Sequence, residues 1–428
     1  MRTPAGPSST PVPVAPDVAG ELERIVDGRG VRAVFQPLID LDSGDVVGYE
    51  ALARGPAGSL LESPGALFEA AYGSGRVAEL DWTCRAAAFG AAAEAGLDPS
   101  LRLFVNCEPV SLGVPCPDDL WPVVDAAERR LRVVMEVTER AVARDPAGLL
   151  GAVARARAVG WGVALDDVGA EPASLAVMPF VRPDVIKLDL GLVQGRTTAE
   201  VARIVNAVRA QSELTGASIL AEGIETRRHA ELARALGATI GQGYLYGRPG
   251  VLPTGSRPTR AAVDLLQEPL AIDTRTPFEV VTAERATERA PKDLLLPMSM
   301  HIEHKALDAA EPGVLLACFQ EVRHFTPSTR ARFGTLSARA ALTGAVGVGM
   351  TLTPAPGVRG ASLGPEDPLR GEWDVIMVGP HFAAALVARD CGDDGPDADR
   401  RFDFVITHDR ELVVRAAQRL LDKLVPAS

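Results

Sequence analysis

Histidine is almost missing from the first 300 residues of this 428-residue chain: His229 stands alone there, inside a helix-like stretch, and the other five come later. A zinc site of the usual His or Cys kind is therefore not expected in the first half. Cysteine is sparse as well. Cys84, Cys107, Cys116, Cys318 and Cys391 are odd in number and widely spread, with no C-x-x-C pair. That argues against a disulfide framework and fits a reducing, cytoplasmic compartment. No apolar stretch approaches the roughly 18–20 residues a membrane span needs. A basic excess is absent: the net charge is −12, which argues against general DNA or RNA binding, since that rests on neutralising phosphates. The short pairs Arg129-Arg130, Arg227-Arg228 and Arg400-Arg401 read as solvated surface. The first residues, to about Pro16, are rich in Pro, Ser and Thr and carry neither a signal-peptide nor a transit-peptide pattern. Residues 1–20 are expected to be a disordered lead-in.

What is present is a globular composition, 47% hydrophobic and 23% charged, at a length that suits two domains or one large barrel plus an appendage. Its most informative pattern is a series of short apolar runs, each ending on one carboxylate, amide or ammonium group. The series reads Val46-Val47-Gly48-Tyr49-Glu50, Leu103-Phe104-Val105-Asn106 and Val133-Val134-Met135-Glu136. It continues with Val163-Ala164-Leu165-Asp166-Asp167, Val185-Ile186-Lys187, Ile219-Leu220-Ala221-Glu222 and Ile240-Gly241-Gln242. Four or so apolar residues bounded by turn signals fit a strand buried on both faces. Helix-like stretches separate most of them: 66–73, 77–95, 120–130, 146–158, 199–213 and 227–236, several followed by glycine near the C-cap. This is the rhythm of repeated βα units, and about 230 residues is a typical length for an α/β (β/α)8 barrel. In such a barrel all the strand ends converge on one rim, so scattered polar residues become a single cluster.

Oxygen-only ligation favours Mg²⁺ or Mn²⁺. The adjacent pair Asp166-Asp167 can flank two cations about 3.5–4 Å apart, an arrangement used for in-line phosphoester displacement. Without cations, so many acids on one rim would repel one another, and some would take up protons. Lys187 can donate to, or help deprotonate, the attacking water, and Gln242 can orient it. A single strand-end acid is more often a helix cap or a salt-bridge partner than a ligand, but seven such positions in register are hard to explain that way.

These residues carry a resemblance. Glu50-Ala51-Leu52, within Tyr49-Glu50-Ala51-Leu52-Ala53-Arg54, resembles the signature of EAL domains, the phosphodiesterases that hydrolyse cyclic di-GMP. Phe35-Gln36-Pro37-Leu38, Phe104-Val105-Asn106, Glu136-Val137-Thr138-Glu139 and Leu165-Asp166-Asp167 agree with it. So do Ile186-Lys187-Leu188-Asp189, Ala221-Glu222-Gly223-Ile224-Glu225 and Gly241-Gln242-Gly243-Tyr244. The resemblance implies a TIM-like barrel over residues 21–252 with one strand antiparallel. It implies that Glu50, Asn106, Glu136 and Asp166 hold a first Mg²⁺ or Mn²⁺, and that Asp166 and Asp167 serve a second, with Glu222 completing the site. Lys187 and Gln242 would position the water, Glu50 and Glu222 would join them in the catalytic set, and Gln36, Leu52 and Arg54 would contact the substrate. Glu139 and Glu225 would anchor the loop after the Asp pair. Hydrolysis would give linear pGpG, and the barrel would be the surface of any homodimer. The chain departs from the family in that loop. Where the family usually reads F-G-x-G-x-S-S-L, this sequence has Val168-Gly169-Ala170-Glu171-Pro172-Ala173-Ser174-Leu175. Pro172 fixes its own φ and restricts Glu171, so the loop is expected to be stiffer.

Residues 253–291 read as a linker, with a short helix over 261–267. Beyond it the pattern is mixed α and β, with strands expected over 313–319, 373–378 and 402–406 and a closing helix over 411–424. Cys318-Phe319-Gln320, Glu372-Trp373-Asp374, Ala388-Arg389-Asp390, Arg400-Arg401-Phe402-Asp403-Phe404 and Thr407-His408-Asp409-Arg410 resemble the DICT domain, a sensory module. This implies signal input, or an effector or protein contact, over 292–428 rather than chemistry. His408-Asp409 has no nucleophile at a telling spacing and reads as a structural pair. No diguanylate cyclase signature (G-G-D/E-E-F) occurs. Three readings remain open: a metal-dependent phosphodiesterase regulated by its second domain, a non-catalytic cyclic-di-GMP receptor, and a scaffold. Retention of Lys187 and Gln242 speaks against the scaffold.

Overall fold

Eight strands close into one barrel in chain order: β1 (Arg32–Asp40), β2 (Val46–Arg54), β3 (Arg102–Asn106), β4 (Arg132–Thr138), β5 (Gly162–Val168), β6 (Val185–Leu188), β7 (Ser218–Ala221) and β8 (Ile240–Gly241). β1 runs antiparallel to both neighbours, β2 and β8. The remaining pairs are parallel. The fold is thus the α/β barrel with one reversed strand that the motifs imply. The computed structural model describes residues 17–138, 144–170, 174–196, 198–254, 263, 265, 274–308, 311–393 and 396–424.

The helices between the strands follow local chemistry. Asp145 caps Pro146–Ala158 by accepting from the Gly148 N–H, with proline in the first turn, where its missing N–H costs nothing. Ala199–Thr215 ends at Gly216, whose φ of +79° is the left-handed conformation a C-cap needs. The helices expected over 77–95 and 120–130 are Val77–Glu94 and Trp121–Arg130.

Each strand gives one apolar side chain to the barrel interior: Leu38, Val47, Phe104, Val134, Ala164, Val185, Leu220 and Ile240. Val263 and Leu265, from beyond the last strand, pack against this layer. The Arg102 guanidinium fixes Val263 by donating to its carbonyl at 3.0 Å. A Cβ on Gly162, at the start of β5, would lie 2.6 Å from the Leu265 side chain. The connector therefore stoppers the end of the barrel opposite the strand-end rim. The helix expected over 261–267 otherwise lies outside the described residues.

The second unit is a seven-stranded sheet in the order β12-β11-β10-β13-β14-β15-β9. Its strands are β9 (Glu288–Pro291), β10 (Val314–Glu321), β11 (Leu342–Val348), β12 (Val358–Ser362), β13 (Glu372–Val378), β14 (Ala383–Asp390) and β15 (Arg401–Thr407). β10, β11 and β12 are parallel and the other pairs antiparallel. The linker assigned to 253–291 needs correction at its end. Pro277–Thr282 is a helix held by a Thr276/Glu279 capping box, and β9 pairs with β15 as the sheet edge. Charge-mixed composition hid both, because an edge strand and a six-residue helix carry little periodicity.

The closing helix, Arg410–Leu421, lies between this sheet and the barrel. Its residues Val413, Ala416, Ala417 and Leu420 belong to the same apolar core as Val153 and Phe180 of the barrel helices. Gln418 Nε2 donates to the Phe180 carbonyl at 3.5 Å. At the start of β6, Asp184 is fully buried, accepts from the Val163 N–H at 2.6 Å and pairs with Arg157 at 2.5 Å. Removing one partner of a buried pair strands the other charge. Arg157→Met should therefore cost about 3 kcal/mol or more in chemical unfolding. A loss below about 0.5 kcal/mol would place the pair among weak surface bridges.

Candidate active site at the strand ends

Glu50, Leu52 and Arg54 alternate onto one face of β2, since successive strand residues point to opposite sides. Glu50 thereby enters the mouth of the barrel, where residues from the seven other strands gather. Asn106, at the end of β3, donates to Glu50 Oε1 at 3.1 Å. Gln242, just past β8, donates to Glu50 Oε2 at 2.5 Å and to Gln36 Oε1 on β1 at 3.1 Å. Gln36 in turn donates to the Gly247 carbonyl at 3.0 Å.

The centre of the cluster is a cation. Lys187 Nζ, 1% exposed, lies 2.7 Å from Glu136, 2.8 Å from Glu222, 2.9 Å from Asp166 and 3.7 Å from Glu50. Burial works against the ammonium, but Asp166, Glu136, Glu222 and Glu50 outweigh it and raise its pKa well above the usual lysine value. The acids divide according to their surroundings. Burial pushes Glu50 up, yet Lys187 and the hydrogen bonds from Gln242 and Asn106 overcome it and hold Glu50 below the carboxylate range. Burial and the Glu50 charge push Glu136 well above that range. Burial, with Asp166 and Glu50 adding to it against Lys187, pushes Glu222 up to about 8.

The Asp pair depends on a backbone irregularity. The β5–β6 register shifts between Leu165 and Val168, and Asp167 adopts φ +55°. Aspartate is one of the few non-glycine residues that tolerates this region, and its N–H is held by Asp166 Oδ1 at 3.0 Å. In a regular strand the two carboxylates would point to opposite faces; here both reach the rim. Oxygens of Asp166, Asp167 and Glu222 lie within 4.8 Å of one another, a grouping that could hold a metal ion.

Gln36, Glu50, Asn106, Glu136, Asp166, Asp167, Lys187, Glu222 and Gln242 are thus brought together. Leu52 and Arg54 border a cleft of about 200 Å³ that Asn106 also lines, and the Arg54 guanidinium donates to the Ala53 carbonyl. Glu225 is exposed beyond β7, and its backbone N–H donates to His229 Nδ1 at 3.4 Å. Glu139, Glu171 and Pro172 lie outside the described residues. One support was missed from the sequence. Asp81, 2% exposed, accepts from Ser111 and from the Glu108 N–H and pairs with Arg85, fixing the turn that follows Asn106. Its only sequence signal is the i,i+4 spacing of Asp81 and Arg85 on an otherwise apolar helix face.

The EAL domain family model matches residues 19–249. The model described as "Sensory domain in DIguanylate Cyclases and Two-component system" matches residues 279–390. The chain is 30% identical over 254 residues to the cyclic di-GMP phosphodiesterase RocR of Pseudomonas aeruginosa, covering 57% of this chain and 63% of that one. It is 28% identical over 232 residues to the probable cyclic di-GMP phosphodiesterase PdeB of Escherichia coli, covering 53% and 44%. In each case less than two thirds of the relative's own length is spanned. Among solved structures, a manganese/cy-diGMP complex of Klebsiella pneumoniae BlrP1 is 29% identical, with a TM-score of 0.46, covering 52% of this chain and 57% of that one. No described helix is long and apolar enough to cross a membrane. With its family match spanning more than half of the sequence, the chain belongs to the EAL domain family, and a DICT sensory domain follows its barrel.

Proposed function

We propose that this chain is a cyclic-di-GMP phosphodiesterase that works with Mg²⁺ or Mn²⁺, yields linear pGpG and is regulated by its second domain. The carrying observation is a charge imbalance. Glu50, Glu136, Asp166 and Glu222 surround one ammonium and Asp167 stands beside Asp166 and Glu222, so five carboxylates against one cation leave a formal surplus of four negative charges. The surplus shows as the raised values of Glu136 and Glu222. An oxygen-rich donor set with that surplus fits two hard divalent cations. Glu50, Asn106, Glu136 and Asp166 would hold one, and Asp166, Asp167 and Glu222 the other. When bound, the pair supplies the positive charge that polarises a phosphoryl oxygen and eases water ionisation.

The chain's own groups do the positioning. Lys187, set among these acids, would donate to, or help deprotonate, the attacking water. Gln242 Oε1 is buried and has no hydrogen-bond partner among the described residues, while its Nε2 is fixed by Glu50 and Gln36. That leaves an oriented acceptor for the water. Arg54 would grip a substrate phosphate beside Leu52, and Gln36 would meet a guanine with its remaining acceptor capacity. Regulation is supported by contact. The helix Ser174–Val181 starts directly after the loop that follows Asp166-Asp167, and it shares its core with the closing helix of the second domain. A cytoplasmic location and a homodimer through the barrel complete the proposal; the signal or effector taken by the DICT domain is unassigned.

Purified full chain with cyclic di-GMP and Mg²⁺ or Mn²⁺ should release pGpG, and Glu50→Ala should lower the rate at least about a hundredfold. Tight binding with no product from the unmodified chain would support the receptor reading instead. Ca²⁺ in place of Mg²⁺ should inhibit, because its bonds are longer and its shell looser; full activity in Ca²⁺ would contradict the two-cation scheme. Stability should report the same surplus. A carboxyl whose value rises from 4.5 to about 8 on folding stabilises the protein at low pH, and that contribution is lost as the pH climbs through about 8. The metal-free melting temperature should therefore fall between about pH 5 and pH 9, and Mn²⁺ should offset the fall. A flat profile that Mn²⁺ leaves unchanged would contradict the charge assignment.

A further inference from the structure

Outside the barrel wall, behind β3 and β4, a cavity of about 590 Å³ opens among the helices Val77–Glu94, Trp121–Arg130 and Pro146–Ala158. The catalytic reading gives it no task. Three of the four tryptophans of the chain, Trp82, Trp121 and Trp161, line it together with Cys107, Met135 and Arg85. It is open to solvent, and its size falls in the range of small-molecule sites, roughly 300 to 1,000 Å³. Its rim is apolar and exposed: Trp121 is 50% accessible, Val114 42% and Val159 39%.

Two polar groups make this more than a packing fault. Arg85 Nε and Trp161 Nε1 are buried N–H donors with no hydrogen-bond partner among the described residues. Arg85 is only 7% exposed. Its guanidinium lies over the Trp82 ring at 3.6 Å, and its NH2 group is committed to Asp81 at 2.7 Å and Ser111 at 3.4 Å. The Trp82 indole N–H is committed to the Val114 carbonyl at 3.1 Å. The cavity therefore offers aromatic faces and two unspent donors. Its one buried cation is already matched by Asp81, so no full negative charge is called for.

We propose that this cavity is a binding site for a planar aromatic small molecule bearing an uncharged oxygen acceptor, held between the tryptophans with its oxygen on Trp161 Nε1 and Arg85 Nε. Such an occupant would rest on the backs of the strands that carry the rim. Asn106 and Cys107 are consecutive, as are Met135 and Glu136, so one residue of each pair faces the mouth and the other faces the cavity.

Coumarin has the right shape and a lactone carbonyl, and it serves as the probe. Isothermal titration of the full chain should give one saturable site, with quenching of the tryptophan emission. Trp161→Phe, which keeps the ring and removes the donor, should bind about tenfold more weakly. Ala152→Phe, checked to melt like the parent, should fill the cavity and abolish binding. Absence of saturable binding to the parent chain overturns the proposal, and so does binding that neither substitution alters. None of these readouts needs cyclic-di-GMP turnover, so the site and the phosphodiesterase reading can fail independently.

Discussion

One buried ammonium organises the mouth of the barrel. Lys187 has Glu136, Asp166 and Glu222 within 3 Å and Glu50 within 4 Å, in an interior where charges interact far more strongly than in water. It can neutralise only one of the acids around it. The rest of the site follows from that inequality: Lys187 and two amide donors hold Glu50 down, while burial and neighbouring acids push Glu136 and Glu222 up. A site built this way is unstable by design and depends on the scaffold to hold its like charges together.

The scaffold does so with ordinary means. Barrel closure brings seven strand ends to one rim, and the connector packs Val263 and Leu265 under the interior layer at the other end. A single register shift in β5 turns Asp167 to the same side as Asp166. The strain of a non-glycine residue at positive φ is thus spent where chemistry needs two carboxylates side by side. The closing helix of the second domain shares an apolar core with the helix that follows the Asp-pair loop.

Most of the rim was legible in the sequence because a strand end is a position that topology defines. Apolar runs ending in Glu50, Asn106, Glu136, Asp166, Lys187, Glu222 and Gln242 need only the barrel to become neighbours. What pattern could not supply was geometry that depends on partners. The place of Lys187 at the centre of the acids depends on four strands at once. The turn of Asp167 depends on a bulge. The buried Asp81–Arg85 pair was invisible because two charges on a helix usually signal solvent, and the strand and helix over 277–291 because short edge elements have too few residues to show a period. Glu139 and the Glu171-Pro172 departure fall outside the described residues, so the loop that sets the chain apart from its family is known here by sequence alone.

Equilibrium dialysis of the full chain against Mn²⁺ near neutral pH tests the central claim most directly. The surplus of carboxylates around Lys187 predicts two saturable ions per chain, and the loss of one in Asp167→Asn. A chain that binds no Mn²⁺, or binds it unchanged after that substitution, would show that the acids are balanced within the protein and that the rim is not a two-cation site.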